Sequence, residues 1–478
     1  MKRRAELIFV PLPGTSHLVP TLDFAKRLID RDDRISITIL VMKLPFGGGG
    51  AASTKSLAAS HPSRIRFIDI PDNLVELPPP QLMMTSPEYY FSLFAESHIP
   101  LVRDIVGDIM SSQSEADSAQ VSGLVVDLGF VSMIDVAIEL GLPSYLFIAS
   151  NFGFLSLLSY VLTHHDQVGA ELEPSDSDKL VTIPGFVNPV PVSILPSGLF
   201  NKFGYTLFVD TAQRLKDAQG VIVNTFLELE QHAINTFSGG SNIPVYTVGP
   251  MLDLQVRPNN SDSEESPSRK ILEWLDDQPE SSVVFLCFGT GGKFSPAQVK
   301  EIATGLEKSE FRFLWSLQFS PQKNVSSDCS TNGGDVLPEG FLERSKERGM
   351  ICGWAPQVEV LAHKAIGGFV SHCGWNSVLE SLWHGVPIVT WPLYAEQQFN
   401  AFMLVKELGL SVELRLDSKM DDDLVVTADE IARAVRYLMD GDSEIRKKVK
   451  QISEIGRKSH MDGGSSFIST GKFIDLNF

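Results

Sequence analysis

Residues 354–397 read WAPQVEVLAHKAIGGFVSHCGWNSVLESLWHGVPIVTWPLYAEQ and could hold a phosphorylated ligand at one helix tip. Apolar runs at 365–370 and 387–390 are expected strands. Between them, the spacing of Trp375, Val378, Leu379, Leu382 and Trp383 gives a helix over 375–384. The first amides of a helix lack intrahelical partners, and its dipole favours negative charge there. Gly374 lets a ligand approach the backbone closely. His372, Asn376 and Ser377 add side-chain donors at the same end, enough in sum for a diphosphate. Trp354, closing a strand over 350–353, offers a flat face for a base. Gln357 and Glu380 suit ribose hydroxyls, and Glu396 and Gln397 suit a hexose. Ala355 and Trp375 belong to the same donor-side set. The alternative is a buried strand–helix–strand unit whose polar residues only cap the backbone.

A second constellation lies far away in sequence. His17 follows the first apolar run, 7–10, where doubly wound sheets place their ligands. A neutral imidazole is matched to proton abstraction near neutral pH, and it needs a partner to fix its tautomer. Asp127 ends the run 123–127 and would reach the same sheet edge. The competing reading is that His17 and Asp127 merely cap the helices that follow them. Capping alone would favour Ser or Asp over His at the first position.

The elements that must carry these residues alternate regularly. Strands are expected at 7–10, 35–41, 65–70, 123–127, 144–148, 221–223 and 245–248. Helices are expected at 18–29, 87–110, 131–140, 151–163, 205–218 and 227–237. That rhythm means a parallel doubly wound sheet. Residues 249–268 turn polar and read as an exposed linker. A second strand–glycine turn–helix opening follows at 283–307, then the strand 311–316 and the run described above. Helices at 396–408, 427–439 and 443–458 complete this half. The fold class is α/β: two facing Rossmann-like doubly wound domains, 1–248 and 269–460, with 461–478 a closing helix.

The 478 residues suffice for two domains, and a net charge of −19 argues against nucleic acid and anionic membranes as partners. A diphosphate must then be met by local donors. Four cysteines without close-spaced pairs read as free thiols of a reducing compartment. No apolar segment is long enough to span a membrane. Other motifs fail on inspection. The run around Ser16 is not G-x-S-x-G, Gly292–Lys293 lacks the rest of a phosphate-binding loop, and Gly14 stands alone where a dinucleotide fingerprint needs three glycines. Asp176–Ser177–Asp178 sits in an acidic, Ser-rich loop and reads as solvated. No close-spaced His/Cys set is present to bind a metal.

The run 354–397, with its HCGWNS turn, central glutamate and final glutamine, resembles the signature of the plant secondary-product UDP-sugar glycosyltransferases, whose fold is called GT-B. The resemblance extends over nearly the whole chain, including the DGGSS tail at 462–466. It implies a His17/Asp127 catalytic dyad, Thr290 beside the β-phosphate, and the final helix docked on the first domain. It implies transfer with inversion, giving a β-glucoside from UDP-glucose as co-substrate, with no metal and no cofactor. Gln397 stands where galactose users tend to have His, which favours glucose. The acceptor side would be Ser16, Tyr89, Phe91, Phe152, Phe154, Leu155 and Leu195 to Phe200. This aromatic lining suits a small lipophilic hydroxylated acceptor, a flavonoid or other phenolic before a terpenoid. Two departures stand out: Ser16 replaces a common glycine, and Ala149 replaces an expected Thr that would reach the sugar. The expectation is a cytoplasmic monomer. The rival reading is a sensor that binds UDP-sugar without transfer.

Overall fold

The structure, a computed structural model, describes residues 4–45, 64–71, 74–113, 119–173, 179–240, 242–254, 266–318, 336–417 and 424–478. The glycine run 47–50, the Asp176–Asp178 motif and the polar segment 319–335 lie outside them. The chain forms two compact units. One comprises Met1–Val192, Ser197–Asp253 and Lys458–Phe478; the other comprises Ser193–Pro196 and Leu254–Arg457.

In the first unit the strands are β1 (Ala5–Val10), β2 (Ile35–Val41), β3 (Ile65–Asp69), β4 (Gln120–Asp127), β5 (Ser144–Ile148), a small antiparallel pair β6 (Leu180–Val181) and β7 (Val190–Pro191), then β8 (Gly220–Val223) and β9 (Val245–Thr247). Seven of them form one parallel sheet in the order β3-β2-β1-β4-β5-β8-β9. Strand β1 is buried throughout, as a strand covered on both faces must be; its one charged residue, Glu6, is met by Thr38 and Arg66. Its flanking helices include α1 (Thr15–Arg31), α2 (Pro87–Ser112), α3 (Phe152–Val168) and α4 (Lys202–Arg214). Helix α1 turns Leu18, Leu22, Ala25, Leu28 and Ile29 to the sheet at helical spacing.

The second unit repeats the plan. Strands β10 (Val283–Cys287), β11 (Arg312–Ser316), β12 (Gly349–Cys352), β13 (Ile366–Ser371), β14 (Ile388–Thr390) and β15 (Ser411–Glu413) run parallel in the order β12-β11-β10-β13-β14-β15. Helices α5 (Pro296–Ser309), α6 (Trp375–Trp383), α7 (Ala428–Met439) and α8 (Glu444–Ser459) belong to this half of the chain. Helix α7 opens on a capping box, with Thr427 and Glu430 satisfying each other's backbone amides.

Each sheet reverses its strand order once. In the first, the chain runs outward from β1 to β3 and then returns to β4 on the other side of β1. In the second it runs from β10 to β12 and returns to β13. These two reversal points are where open α/β sheets leave a crevice at their carboxyl edge.

Three local expectations change. After β4 the chain makes a 3₁₀ turn, Leu128–Met133, before a short helix Ile134–Glu139; Phe130 breaks the helical conformation and its ring stacks on Phe94 at 6.0 Å. Residues Gly249, Pro250, Met251 and Leu252 are buried rather than exposed linker, with Val248 and Met251 in the core of the first unit. The helix expected over 396–408 is α-helical only at Gln397–Phe402 and continues as a π turn, Met403–Glu407.

The last helix, α9 (Ser465–Asn477), belongs to the first unit. Phe473 is fully buried among Phe24, Tyr145 and Tyr246, at 5.6, 5.0 and 5.2 Å between ring centroids. The Tyr145 hydroxyl donates to Asn477 Oδ1 at 2.7 Å. A Phe473→Ala variant should lose about 3–5 kcal/mol of stability, measured by chemical denaturation of the first unit's transition. A loss under about 1 kcal/mol would mean that this helix is not part of the core.

Candidate active site

In the first unit, β1 and β4 are adjacent and parallel, with Val10 paired to Val126. Their carboxyl ends therefore emerge side by side. His17 is the third residue of α1, just after β1, and Asp127 is the last residue of β4. His17 Nδ1 lies 2.8 Å from Asp127 Oδ2. A carboxylate can only accept, so Nδ1 carries the proton and Nε2 keeps its lone pair. The Asp127 side chain is 2% exposed and that of His17 30%, so the imidazole is accessible and the carboxylate is not. The other carboxylate oxygen, Oδ1, accepts from the Gly129 amide at 3.0 Å. Asp127 therefore caps the turn after it and also holds the imidazole, so the capping reading does not exclude the other. Gly14, not His17, is the residue at the cap position of α1. Thr21 Oγ1 donates to the His17 carbonyl at 2.8 Å and steadies the first turn.

In the second unit, β10 and β13 play the same parts. The turn after β13 leads into α6, whose cap residue Gly374 brings no side-chain cap to the amides of its first turn. Cys373 adopts a left-handed conformation, φ 64°. Its amide donates to Ser371 Oγ at 3.1 Å, and Asn400 Nδ2 donates to its carbonyl at 3.0 Å. The ring of His372 is wedged between two glycine turns: a Cβ on Gly289 or on Gly374 would lie 2.7 Å from Nε2. Gly289 also has φ 70°, where other residues are strained. Burial pushes the His372 pKa down to about 4; the backbone of Cys287, a hydrogen-bond partner, opposes this only in part. His372 is thus neutral, and its buried Nδ1 meets no protein partner.

The remaining donor-side residues gather around this tip. Gln357 Nε2 donates to Ser377 Oγ at 2.8 Å and to Glu380 Oε2 at 2.7 Å, which locks three of the expected contacts into one network. Ser377, accepting from Gln357, has its own hydroxyl proton to donate. Trp354 is 58% exposed, an open aromatic face suited to stacking, whereas Ala355 is buried. Trp375 is buried as well, so its backbone rather than its ring is on offer. Gln397 Oε1 accepts from the Leu393 and Tyr394 amides at 2.9 and 3.1 Å, which fixes the side-chain amide and leaves its NH₂ as the donor end. Glu396 precedes it, half-buried, and Thr290 is exposed in the glycine turn after β10.

The expected acceptor residues divide. Ser16 is exposed, and Tyr89, Phe91, Phe154 and Phe200 are half-buried. Phe152, Leu155 and Leu195 need correction: they are 0–1% exposed and present no surface. Phe152 opens α3 in the core, its ring edge-on to Phe237 and its amide donating to the buried Glu230 carboxylate. Phe203, unnoticed in the sequence, is 58% exposed and stacks on Tyr89 at 4.6 Å. Also unnoticed were Asn400, Ser371 and Tyr394. Only Tyr394 carried a usable signal, being an aromatic one residue from a sharp turn at Ala395.

The depressed pKa of His372 sets a pH window. The unfolded ring takes its proton near 6.5, the folded one only near 4, so stability is full above 6.5 and falls as pH drops toward 4. His384 and His460, lowered by burial to about 4 and about 3, act in the same direction. Across that window His372 alone should cost up to roughly 3 kcal/mol. A His372→Asn variant should show a shallower decline of melting temperature from pH 7 to 4.5; equal slopes would contradict the buried neutral ring.

Residues 255–462 match the family model described as UDP-glucoronosyl and UDP-glucosyl transferase. The chain is 53% identical over 477 residues to UDP-glycosyltransferase 71K1 of Malus domestica, covering 99% of this chain and 98% of that one. It is 50% identical to flavonol 3-O-glucosyltransferase UGT71C4 of Arabidopsis thaliana, with the same coverage. The crystal structure of Medicago truncatula UGT71G1 complexed with UDP-glucose superposes with a TM-score of 0.89 at 48% identity, over 99% of this chain and 98% of that one. Among the described residues no group of three or more His, Cys, Asp or Glu is placed to hold a metal, and no helix is long and apolar enough to cross a membrane. The chain belongs to the UDP-glycosyltransferase family and is an enzyme of the GT-B fold that takes a UDP-sugar as its co-substrate.

Proposed function

We propose that this enzyme transfers glucose from UDP-glucose to a hydroxyl of a small lipophilic acceptor, with inversion at the anomeric carbon. The observation that carries the reading is the 2.8 Å bond between His17 and Asp127. With Nδ1–H held by the carboxylate, Nε2 takes the acceptor proton as the acceptor oxygen forms its bond to the anomeric carbon. The bond from that carbon to the β-phosphate oxygen breaks, and UDP leaves with its charge. Donors already in place receive that charge: the first amides of α6, the neutral His372, and Thr290. An attack opposite the leaving group turns an α-linked donor into a β-glucoside.

Glucose is favoured by Gln397, whose NH₂ is directed by two backbone amides on its Oε1. A flavonoid or other phenolic is the preferred acceptor class, and a terpenoid the second. The open aromatic pair Tyr89 and Phe203 supports flat acceptors, as does the likeness to a flavonol 3-O-glucosyltransferase. We place the enzyme in the cytoplasm as a monomer; buried free thiols at Cys287 and Cys373 suit a reducing compartment. A sensor that only binds UDP-sugar would have no use for an imidazole oriented by a buried carboxylate.

The protein is incubated with UDP-glucose and a panel of phenols, with UDP release and product anomer recorded. Release should depend on acceptor, and the product should be a β-glucoside. His17→Ala should lower turnover by about 10²-fold or more while the Kd for UDP stays within about twofold of wild type. Unchanged turnover in that variant would remove His17 as the base.

A further inference from the structure

The donor pocket of the second unit is made of two segments far apart in sequence, and one side chain spans them. The glycine turn 289–292 follows β10 and carries Thr290. Residues 393–397 follow β14 and carry Glu396 and Gln397. Tyr394 reaches across. Its oxygen sits against Gly291 and accepts from the Gly291 backbone N–H and from the Gln397 side-chain NH₂. The fit is close: a Cβ on Gly291 would lie 2.9 Å from the Tyr394 oxygen and 3.2 Å from Cζ, so only glycine leaves room for this contact. The Tyr394 ring flanks His372, 6.4 Å between centroids.

The turn has few other supports on that side. Its far end is packed by Phe288, Phe294 and Trp391, whose rings lie 4.6–5.5 Å apart. Gly289 rests on the His372 ring. Thr290 between them is exposed, so its position depends on these neighbours. A phenol is a suitable bridge, because its oxygen can accept from both donors and it stays neutral at working pH; burial raises the Tyr394 pKa further.

We propose that Tyr394 is a positioning residue of the donor site: its hydroxyl holds the 289–292 turn against the β-phosphate and ties that turn to the sugar-facing Gln397. This rests on the reading of Thr290 as a β-phosphate contact. Removing the hydroxyl leaves the turn packed at its aromatic end but loose at Thr290. The loss therefore falls on ligands with a second phosphate.

The test compares UDP with UMP, which lacks that phosphate, by calorimetry on wild type, Tyr394→Phe and Thr290→Ala. Tyr394→Phe should weaken UDP about five- to tenfold and leave UMP within twofold. The KM for UDP-glucose should rise in parallel, with kcat changed less. Thr290→Ala should weaken UDP but not UMP. If Tyr394→Phe binds UDP like wild type, or loses UDP and UMP equally, the positioning role is overturned. If Thr290→Ala keeps full UDP affinity, the β-phosphate reading beneath it fails instead.

Discussion

A parallel sheet that reverses its strand order cannot cover its own reversal point. The connections leaving the two central strands diverge to opposite sides, and the backbone amides and side chains at their carboxyl ends stay open. This chain makes that construction twice, at β1/β4 and at β10/β13. Each reversal carries a histidine: His17 just after β1, His372 just after β13. The two rings have opposite environments. His17 is accessible and bound to a carboxylate; His372 is sealed between glycine turns with no carboxylate bound to it. In the mechanism proposed, one fold motif supplies a base in one unit and a neutral imidazole in the other.

The electrostatics follow the same economy. A protein with a net charge of −19 gains nothing from its overall field when it binds an anion. In the mechanism proposed, it relies on oriented dipoles: the first amides of α6, a neutral imidazole, hydroxyls at Thr290 and Ser377. None of these introduces a buried cation that would have to be neutralised when UDP leaves. Buried polar bonds keep the dipoles aimed. Asn400 and Ser371 hold Cys373 in its left-handed conformation, and Gln357 joins Ser377 to Glu380.

Much of this was legible in the residues. Short apolar runs such as 283–288 and 365–370, alternating with helical spacing, read as strands covered on both faces, and the parallel sheets followed. The helix tip at 375 was legible from apolar spacing plus a glycine. What escaped depended on long-range contacts. The 3₁₀ turn at Leu128–Met133 exists because Asp127 caps Gly129 and Phe130 stacks on Phe94, a residue 36 positions earlier. Gly249–Leu252 looked like a linker by composition, yet Asn224 Oδ1 accepts from the Met251 amide at 2.7 Å and the segment is drawn into the core. Phe152 has the aromatic character of a pocket residue, but Glu230 anchors its amide and turns the ring inward. Tyr394 took meaning only once Gly291 was seen beneath its hydroxyl.

The dyad is tested most directly by Asp127→Asn. The carboxylate serves two donors at once, Gly129 N–H and His17 Nδ1–H. An amide has one oxygen. If that oxygen keeps the Gly129 cap, the NH₂ meets His17 Nδ1 and drives the ring proton to Nε2, where the base must be free. With fold and UDP affinity retained, kcat at saturating UDP-glucose should fall by about 10²-fold or more. A variant that turns over like wild type would show that the imidazole is not oriented by Asp127, and the assignment of the base would fall with it.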